Sequence, residues 1–413
     1  MFKFNFSAND LEFDDPELAN QQDDDQLDEL STPLESLSVS PTPSNLVPAS
    51  LLDLQTETCL HSLPLTLHYE LAHIPVLNQG SGAASAIAID TKTGKEQEVV
   101  TLYKRNLEDV KFQIAQEDDN FGDDEPQNAT NTVTGPGGVE MLALAGKSDL
   151  VKGVYEGGLK TWECALDLVA YLAEQKENYD GKKVLELGCG SALPGIYVLT
   201  RSDTVKVDLQ DYNDQVLKLV TLPNVLLNTH WRPDQHQPAD ESDEDEEIDT
   251  KDDQDVADGD QDDDEEDDEF EEPEADPADG DFVSVELDLP DSDEGKRALV
   301  SKVEAQSRLF MGDWSGLVEL MAFNNDEDKY DLILTSETIY AEESHAKLYA
   351  TIKNSLKRGG KALVAAKTFY FGVGGDILSF RRLIEKDGVF DTKVVFSAQA
   401  FVRREILELT FKA

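Results

Sequence analysis

The chain has 413 residues and a formal net charge of −52 at pH 7, from 87 acidic and 35 basic side chains. This balance disfavours direct binding of nucleic acid, because phosphate contacts rely on basic patches, and it favours a basic protein as partner. The three cysteines show no CxxC spacing and no Cys/His cluster, so neither a disulfide framework nor a metal site is expected. The chain has no run of about 18 apolar residues, so no membrane span is predicted.

Two acidic segments are predicted to be disordered: residues 1–50 and an insertion at 233–300. Residues 240–281 alone hold 27 Asp and Glu side chains against one lysine, which is half of the net charge. Such a composition buries too little apolar surface to offset the entropy of an ordered chain. The insertion is either a solvated, solubilising segment or one that attracts a basic protein, and the sequence leaves both open. The first residues also lack the apolar stretch of a signal peptide.

Residues 51–150 are expected to form an accessory N-terminal layer, whose role the sequence does not define. Alternating polarity over Leu63–Val76 predicts a strand, and Val99–Gln116 predicts a short strand followed by a helix. The run Gly135-Pro-Gly-Gly138 is typical of a loop, so this layer is expected to end before the next domain begins.

Residues 151–413 are predicted to form one α/β domain that the acidic insertion interrupts. Before the insertion the pattern predicts a helix at Thr161–Gln175, a strand at Val184–Leu187, a strand at Val205–Leu209 and a helix at Gln215–Thr229. Ser191 is predicted to cap the helix that follows the first of these strands, with Pro194 in its first turn, where a missing N–H is harmless.

After the insertion the alternation of strands and helices resumes. Strands are expected at Arg308–Met311, Tyr330–Thr335, Lys361–Ala366, Lys393–Ser397 and Glu405–Phe411, and helices at Gly316–Phe323, His345–Leu356 and Ile377–Glu385. This alternation predicts a Rossmann-like, mostly parallel sheet, with helices placed on both faces by right-handed crossovers. The last two strands have no helix between them, so the final strand is expected to be antiparallel.

The clearest functional signal is the loop Gly188-Cys189-Gly190 after the first buried strand, with Asp211 at the end of the next one. Glycines let the backbone approach a ligand closely, and a carboxylate about 20 residues on can accept both hydroxyls of a ribose. Leu193 stands where the dinucleotide-binding motif has its third glycine. This departure favours a cofactor with a ribose and no pyrophosphate, and S-adenosylmethionine fits that description.

Six separated motifs carry a resemblance to a known family. In chain order they are Tyr155-Glu-Gly-Gly-Leu-Lys-Thr-Trp-Glu-Cys164, Gln210-Asp-Tyr-Asn213, Val220-Thr-Leu-Pro-Asn224, Gly312-Asp-Trp-Ser315, Leu334-Thr-Ser-Glu-Thr-Ile-Tyr340 and Tyr370-Phe-Gly-Val-Gly-Gly375. They resemble the eukaryotic protein-histidine N-methyltransferases, which are seven-stranded enzymes that use S-adenosylmethionine. The resemblance implies a substrate histidine in a large-subunit ribosomal protein, and we expect the chain in the cytoplasm and the nucleus.

The resemblance also implies the residues of the site. Contacts with the cofactor are expected from Trp162, Glu163, Glu186, Gly188, Cys189, Gly190, Asp211, Tyr212, Asn213, Gly312, Asp313, Trp314 and Ser336. Asp313 is expected to accept the adenine amino group, and Trp314 to cover the ring. Glu337 and Tyr340 are expected in the substrate pocket, where Glu337 accepts the N–H of the ring nitrogen that does not react.

Each of these residues has a structural alternative, and the whole chain has two other candidate functions. Asp211 could equally cap a helix, and Trp314 could belong to the core. A lysine methyltransferase of the related group would share the cofactor fold and would produce methyllysine. A non-catalytic acidic chaperone for basic proteins would have no use for the intact set of Glu186–Gly190, Asp211 and Asp313.

Overall fold

The computed structural model describes residues 47–76, 98–119, 157–236, 285–372, 374–398 and 400–413. Most of the residues that are predicted to be disordered, 1–46 and 237–284, lie outside these ranges, and so do residues 77–97 and 120–150 of the accessory region, with the predicted loop Gly135–Gly138. Within the described ranges no helix is long and apolar enough to cross a bilayer. The same ranges contain no cluster of His, Cys, Asp and Glu side chains that is placed to hold a metal ion.

Eleven strands form two sheets in the described part of the chain. They are β1 (Ser50–Leu51), β2 (Thr66–Pro75), β3 (Val99–Arg105), β4 (Lys183–Leu187), β5 (Lys206–Asp211), β6 (Val285–Asp288), β7 (Ser307–Met311), β8 (Tyr330–Ser336), β9 (Leu356–Lys367), β10 (Phe390–Ala398) and β11 (Arg404–Phe411). The large sheet has the order β1-β7-β5-β4-β8-β9-β11-β10, and the small sheet has the order β3-β2-β6.

The large sheet confirms the predicted Rossmann-like fold. Strands β7, β5, β4, β8 and β9 are parallel neighbours. Strand β11 is antiparallel to both β9 and β10, so the prediction of an antiparallel final strand is also confirmed. The eighth strand, β1, pairs antiparallel with the edge of β7. Two residues are too few for a periodic pattern, which is why the sequence does not predict β1.

Helices cover both faces of the large sheet. They are α1 (Glu57–His61), α2 (Leu107–Asp119), α3 (Glu163–Gln175), α4 (Leu193–Leu199), α5 (Asp214–Val216), α6 (Leu222–Asn228), α7 (Pro233–His236), α8 (Asp293–Gln306), α9 (Trp314–Met321), α10 (Glu342–Ser355) and α11 (Ile377–Asp387). Alternate residues of a strand point to opposite faces, so Val184 packs with α3 and α4 while Leu185 packs with α10 and α11. The strands are therefore buried on both sides, as a parallel sheet requires.

The accessory region is a small antiparallel sheet that shares the main core. Strand β2 pairs with β3 on one side and with β6 on the other. Its residues Leu67 and Tyr69, and after a change of phase Ala72 and Ile74, are buried in the same apolar cluster as helix α3. Residues 51–76 and 98–119 are thus part of the described domain, in which β2 and β3 pack against helices α3, α4 and α6.

The predicted extent of the disordered insertion, 233–300, is wrong at both ends. Helix α7 lies at its start, and β6 and most of α8 lie at its end. Acidic residues dominate this stretch and mask a short apolar pattern, in which Leu287, Leu299 and Val300 are buried in the core. The predicted disorder of residues 1–50 is likewise wrong for Val47–Ser50, which lie along the edge of β7.

Two local predictions around the glycine loop also need correction. Ser191 does not cap helix α4, because Ala192 holds the N-cap position in a left-handed conformation, with φ of 57°. The Ser191 hydroxyl instead accepts a hydrogen bond from Thr161 Oγ1 at 2.9 Å. The helix predicted at Gln215–Thr229 is interrupted by a π-helical turn at Leu217–Thr221. Such turns are often found at functional sites.

The two ends that flank residues 237–284 lie side by side. Trp231 Nε1 donates to the backbone oxygen of Asp288 at 2.9 Å, and the ring of His236 stacks on Trp231 with centroids 3.8 Å apart. The acidic insertion therefore leaves and rejoins the domain at one place.

Deleting residues 240–281 is expected to change the thermal midpoint by no more than about 2 °C, because so acidic a composition buries too little apolar surface to form a core. Calorimetry of the purified chains measures it. A second deletion, of residues 240–300, removes β6 and the first half of α8, and we expect it to lower the midpoint strongly or to prevent folding. A large drop after the shorter deletion would contradict the prediction.

Candidate active site

The predicted site residues meet at one edge of the large sheet. The loops after β4, β5, β7, β8 and β9 all emerge there, because the carboxyl ends of parallel strands lie together. A cleft of about 300 Å³ lies at the opposite edge, lined by the first residues of the strands, among them Lys183, Lys206 and Arg308. The predicted residues surround the carboxyl edge, and we therefore place the candidate site there.

The glycine loop is held by close backbone contacts. Gly190 has φ of 50°, and a Cβ atom on it would lie 3.2 Å from Gly158 Cα. Its N–H donates to Asp211 Oδ2 at 2.9 Å, and its carbonyl accepts from Thr221 Oγ1, in the π-helical turn, at 2.6 Å. Gly188 has φ of 61°, and a Cβ there would lie 2.5 Å from Thr338 Cγ2. Both positions therefore need glycine, as the sequence predicts.

Asp211 fixes the loops on either side of it. One carboxylate oxygen accepts from Gly190, and the other accepts from the N–H of Asn213 at 3.2 Å. The helix-cap alternative is wrong, because helix α5 begins at Asp214 and Asn213 holds its N-cap position. A carboxylate offers about four acceptor sites, and the ribose contact of Asp211 stays a prediction.

Gln210 is a site residue that the sequence prediction misses. Its Oε1 accepts from Gly188 N–H at 3.2 Å and from Trp314 Nε1 at 2.7 Å, and its Nε2 donates to the carbonyl of Gly312 at 2.8 Å. One buried amide thus joins the ends of β4, β5 and β7. The available signal was its place in the motif Gln210-Asp-Tyr-Asn213, directly before Asp211.

Glu186 lies behind the glycine loop and has a role that differs from the predicted cofactor contact. Its Oε2 accepts from Gly195 N–H, in helix α4, at 2.7 Å, and the residue is 1 % exposed. Its Oε1 has no hydrogen-bond partner among the described residues. Burial raises the pKa of this carboxyl to about 8, and the charge of Asp211 adds to the rise. Glu186 is therefore a neutral, structural acid near pH 7.

The side chain of Cys189 also turns into the protein. Its Sγ lies 3.8 Å from Thr221 Oγ1, and the residue is buried. Burial, together with the nearby Asp211 and Glu186, raises the pKa of the thiol well above its ordinary value. Only the backbone of Cys189 remains for the predicted contact with a cofactor.

Asp313 is used by the fold in a way that the sequence prediction misses. Its Oδ1 accepts from Ser315 N–H at 2.9 Å, which makes it the N-cap of helix α9, and its Oδ2 accepts from Lys347 Nζ at 2.8 Å. Burial works to raise the pKa of this carboxyl, but Lys347 and Ser315 lower it overall. Each oxygen already has a partner in the protein, and the bond to an adenine amino group stays a prediction.

The N-terminal segment Val47–Ala49 covers the same side of the site. The N–H of Asp313 donates to the carbonyl of Val47 at 2.9 Å, and the N–H of Val47 donates to the hydroxyl of Tyr212 at 3.4 Å. Gly312 has φ of 96°, and a Cβ there would collide with the carbonyl of Pro48. Tyr212 and Gly312, which are both predicted to contact the cofactor, therefore lie under this segment.

Glu337 lies at the end of β8 in a left-handed conformation, with φ of 57°, which is uncommon for a residue other than glycine. Its Oε2 accepts from the hydroxyl of Tyr370 at 2.6 Å, and its Oε1 lies 3.5 Å from Lys367 Nζ. The side chain is 6 % exposed. Burial raises the pKa of Tyr370 well above its ordinary value, so its hydroxyl stays a donor. Glu337 is thus held firmly at the strand end.

Trp162 and Glu163 join the same group through Lys367. The Nζ of Lys367 lies 3.1 Å from Glu163 Oε2 and 5.1 Å from the centre of the Trp162 ring. Lys367 is absent from the predicted set, although a single basic residue at the end of the apolar run Ala362–Ala366 was a visible signal. The half-buried Ser336 and Tyr340 lie on either side of Glu337 in the loop after β8.

The residues at this edge fit S-adenosylmethionine in two respects. Gly188 and Gly190 form a left-handed backbone cradle without side chains at the end of β4, which a ligand can approach closely. Asn213 Nδ2 is a buried donor without a partner among the described residues, directly beside Asp211. A buried donor of this kind is typical of a position that a ligand completes.

Comparisons with known proteins give a consistent picture. The model of the lysine methyltransferase family matches residues 147–249. Histidine protein methyltransferase 1 of Schizosaccharomyces pombe is 33% identical over 297 residues, which cover 69% of this chain and 69% of the relative. The protein of the same name from Saccharomyces cerevisiae is 30% identical over 319 residues, with 69% and 68% covered.

Mammalian relatives are similar over a smaller share of their length. The histidine protein methyltransferase 1 homolog of Rattus norvegicus is 34% identical over 270 residues, which are 65% of this chain and 61% of the relative. The chain therefore spans about three fifths of the mammalian proteins that it matches.

Replacing Glu186 by Gln tests the structural role of this acid. The wild-type carboxyl has a folded-state pKa of about 8 against an ordinary value of 4.5. Its contribution to stability is therefore complete below about pH 4.5 and is lost as the pH rises through about 8. Gln stays neutral, so the thermal midpoint of the variant should exceed that of the wild type increasingly from pH 5 to pH 8.5.

Cofactor affinity should stay within about twofold in Glu186→Gln, because the side chain lies behind the loop. The exposed Glu319→Gln serves as control and should show no such pH trend. A Glu186→Gln variant with a large loss of affinity would restore the predicted cofactor contact.

Replacing Asp211 by Ala should weaken S-adenosylmethionine binding about tenfold or more, since hydrogen bonds to a charged acceptor contribute roughly 1.5–3 kcal/mol each. Titration calorimetry measures the affinity. Asp214→Ala is the matched control, because its carboxylate pairs only with Lys218 on the helix surface, at 2.7 Å. Wild-type affinity in a folded Asp211→Ala variant would overturn the ribose assignment.

Proposed function

The chain belongs to the histidine protein methyltransferase 1 family, and we propose that it methylates a histidine side chain of a protein. S-adenosylmethionine is the cofactor, and when bound it supplies an electrophilic methyl group. The observation that carries the proposal is the fixed carboxylate of Glu337, which stands at the end of β8 next to the glycine loop. The protein contributes by positioning the nucleophile against the methyl group.

Imidazole is the nucleophile that this arrangement suits. A histidine has an ordinary pKa near 6.5 and is mostly neutral at pH 7, so it needs orientation more than deprotonation. A lysine has an ordinary pKa near 10.4, so it must first lose a proton. Glu163 is a poor base for that task, because it forms an ion pair with Lys367. Lys367 and its own backbone N–H lower the pKa of Glu163 against the effect of burial.

We assign Glu337 the orienting role in this reaction. A carboxylate that accepts one imidazole N–H determines which ring nitrogen carries the free lone pair. Tyr370 and Lys367 hold that carboxylate, so the direction of the bond to the substrate is set before the substrate arrives. Tyr340, three residues further along the same loop, is proposed to line the pocket.

The proposed substrate is a basic protein, namely a protein of the large ribosomal subunit. The six motifs that resemble the histidine methyltransferases favour this substrate, and the net charge of −52 suits a basic partner. Such a substrate places the reaction in the cytoplasm and the nucleus. A lysine methyltransferase is the second candidate, which the match to the lysine methyltransferase family model favours.

The test is transfer of a labelled methyl group from S-adenosylmethionine to proteins of large ribosomal subunits from cells that lack this enzyme. Acid hydrolysis and amino-acid analysis then identify the product. Labelled methylhistidine is expected. Methyllysine in its place would favour the second candidate, and cofactor binding without any transfer would refute both for this substrate.

Replacing Glu337 by Gln should lower turnover by roughly tenfold or more, because a misoriented nucleophile reacts more slowly, and should change the ratio of the two methylhistidine isomers. Chromatography of the hydrolysed product separates these isomers. Glu342→Gln, an exposed acid at the start of helix α10, is the control and should behave as wild type. Unchanged turnover and an unchanged isomer ratio in Glu337→Gln would exclude the orienting role.

A further inference from the structure

We propose that Lys367 is a specificity-determining residue: it occupies the position that a substrate ammonium would need, so that the pocket accepts a neutral imidazole and rejects a lysine side chain. The inference rests on the proposed function, because it concerns which nucleophile that same site takes. Four features of the described residues lead to it.

The first is the location of Lys367 at the wall of the pocket. It is the last residue of β9, whose Ala365 pairs with Ser336 at the end of β8. The next residues of that loop are Glu337 and Thr338, and the methyl group of Thr338 lies against Gly188. Lys367 and the glycine loop therefore border the same space.

The second is that the carboxylates around Lys367 are already paired with cations of this chain. Glu337 has an oxygen 3.5 Å from Lys367 Nζ, and Glu163 has one at 3.1 Å. Asp167, on the same helix as Glu163, is bound by Arg404 of β11, with Nη2 3.0 Å from Oδ1. An incoming ammonium would have to displace one of these cations before it found a carboxylate.

The third is that the aromatic face is covered as well. Cation–π contact with a Trp ring is the other common way to bind an ammonium group. The ring of Trp162 already has Lys367 Nζ at 5.1 Å and Lys160 Nζ at 5.6 Å from its centre. The carboxylates and the aromatic ring that a substrate lysine would use are thus already in contact with cationic side chains of the protein.

The fourth is that Lys367 remains charged. Burial works to lower its pKa, but Glu337 and Glu163 raise it overall above the ordinary value. Like charges at close range disfavour each other, so a second ammonium beside Lys367 is unfavourable. A neutral imidazole meets no such repulsion, and its N–H can still donate to Glu337.

The test replaces Lys367 by Met, which keeps the length of the side chain and removes its charge. The matched control is Lys361→Met, because Lys361 lies near the middle of the same strand and pairs with Glu177 at 2.8 Å. Both variants are first shown to be folded by their thermal midpoints and by their affinity for S-adenosylhomocysteine.

The first measurement is binding of n-butylammonium chloride, an analogue of the lysine side chain, to the chain saturated with S-adenosylhomocysteine, at constant ionic strength. Lys367→Met leaves Glu337 and Glu163 without their cation, so we expect it to bind the probe at least about tenfold more tightly than the wild type and Lys361→Met do. This readout needs no activity, so it stands even if the proposed substrate is wrong.

The second measurement is the pH profile of methylhistidine formation. A nearby ammonium disfavours protonation of the substrate ring, so its removal should move the acid limb of the profile to higher pH, by about 1 unit. Lys367→Arg, which retains the charge, should keep both the wild-type limb and the weak binding of the probe.

Equal n-butylammonium affinities and equal acid limbs in wild type and folded Lys367→Met would overturn the inference. If Lys367→Met does not fold, Lys367→Gln takes its place in both measurements. Failure of the proposed function is a different result, in which wild type forms no methylhistidine while the difference in probe binding persists.

Discussion

The site depends on the close approach of two glycine turns. The backbone of Gly158 leaves no room for a side chain at Gly190, whose N–H and carbonyl are held by Asp211 and Thr221. This contact brings the segment before helix α3 onto the end of β4, and the π-helical turn supplies the hydroxyl that completes it. A side chain at Gly190 would separate the two turns, and with them the halves of the cofactor cradle.

Local patterns in the sequence predict most of the sheet correctly, because buried strands and amphipathic helices have short-range signatures. The glycine loop and Asp211 are also found, since both are defined by spacing within one βαβ unit. Elements with a weak or interrupted pattern are missed, namely β1, β6 and helix α8. Their apolar residues are few, and the acidic composition around β6 conceals them.

The chemistry of individual acids is harder to predict than their presence. Asp313 is a helix cap paired with Lys347, and Glu186 is a buried neutral acid, yet both look like ligand contacts in the sequence. The partners that decide between these roles lie on other elements of the fold. The contacts around Lys367 are difficult to predict for the same reason. The residues that form them are far apart in the chain and meet only when β8, β9 and helix α3 pack together.

The bond from Trp231 to Asp288 has a consequence for how the protein can change over evolutionary time. The entropy of closing a loop grows only slowly with its length, so a connection whose two ends are held together can lengthen with little effect on folding. Mutations between these ends are then selected for charge and composition, while the sheet and its cradle stay under their own constraints. The hydrogen bond of the Trp231 indole thus marks the boundary between the acidic insertion and the folded domain, two parts of the chain that can evolve at different rates.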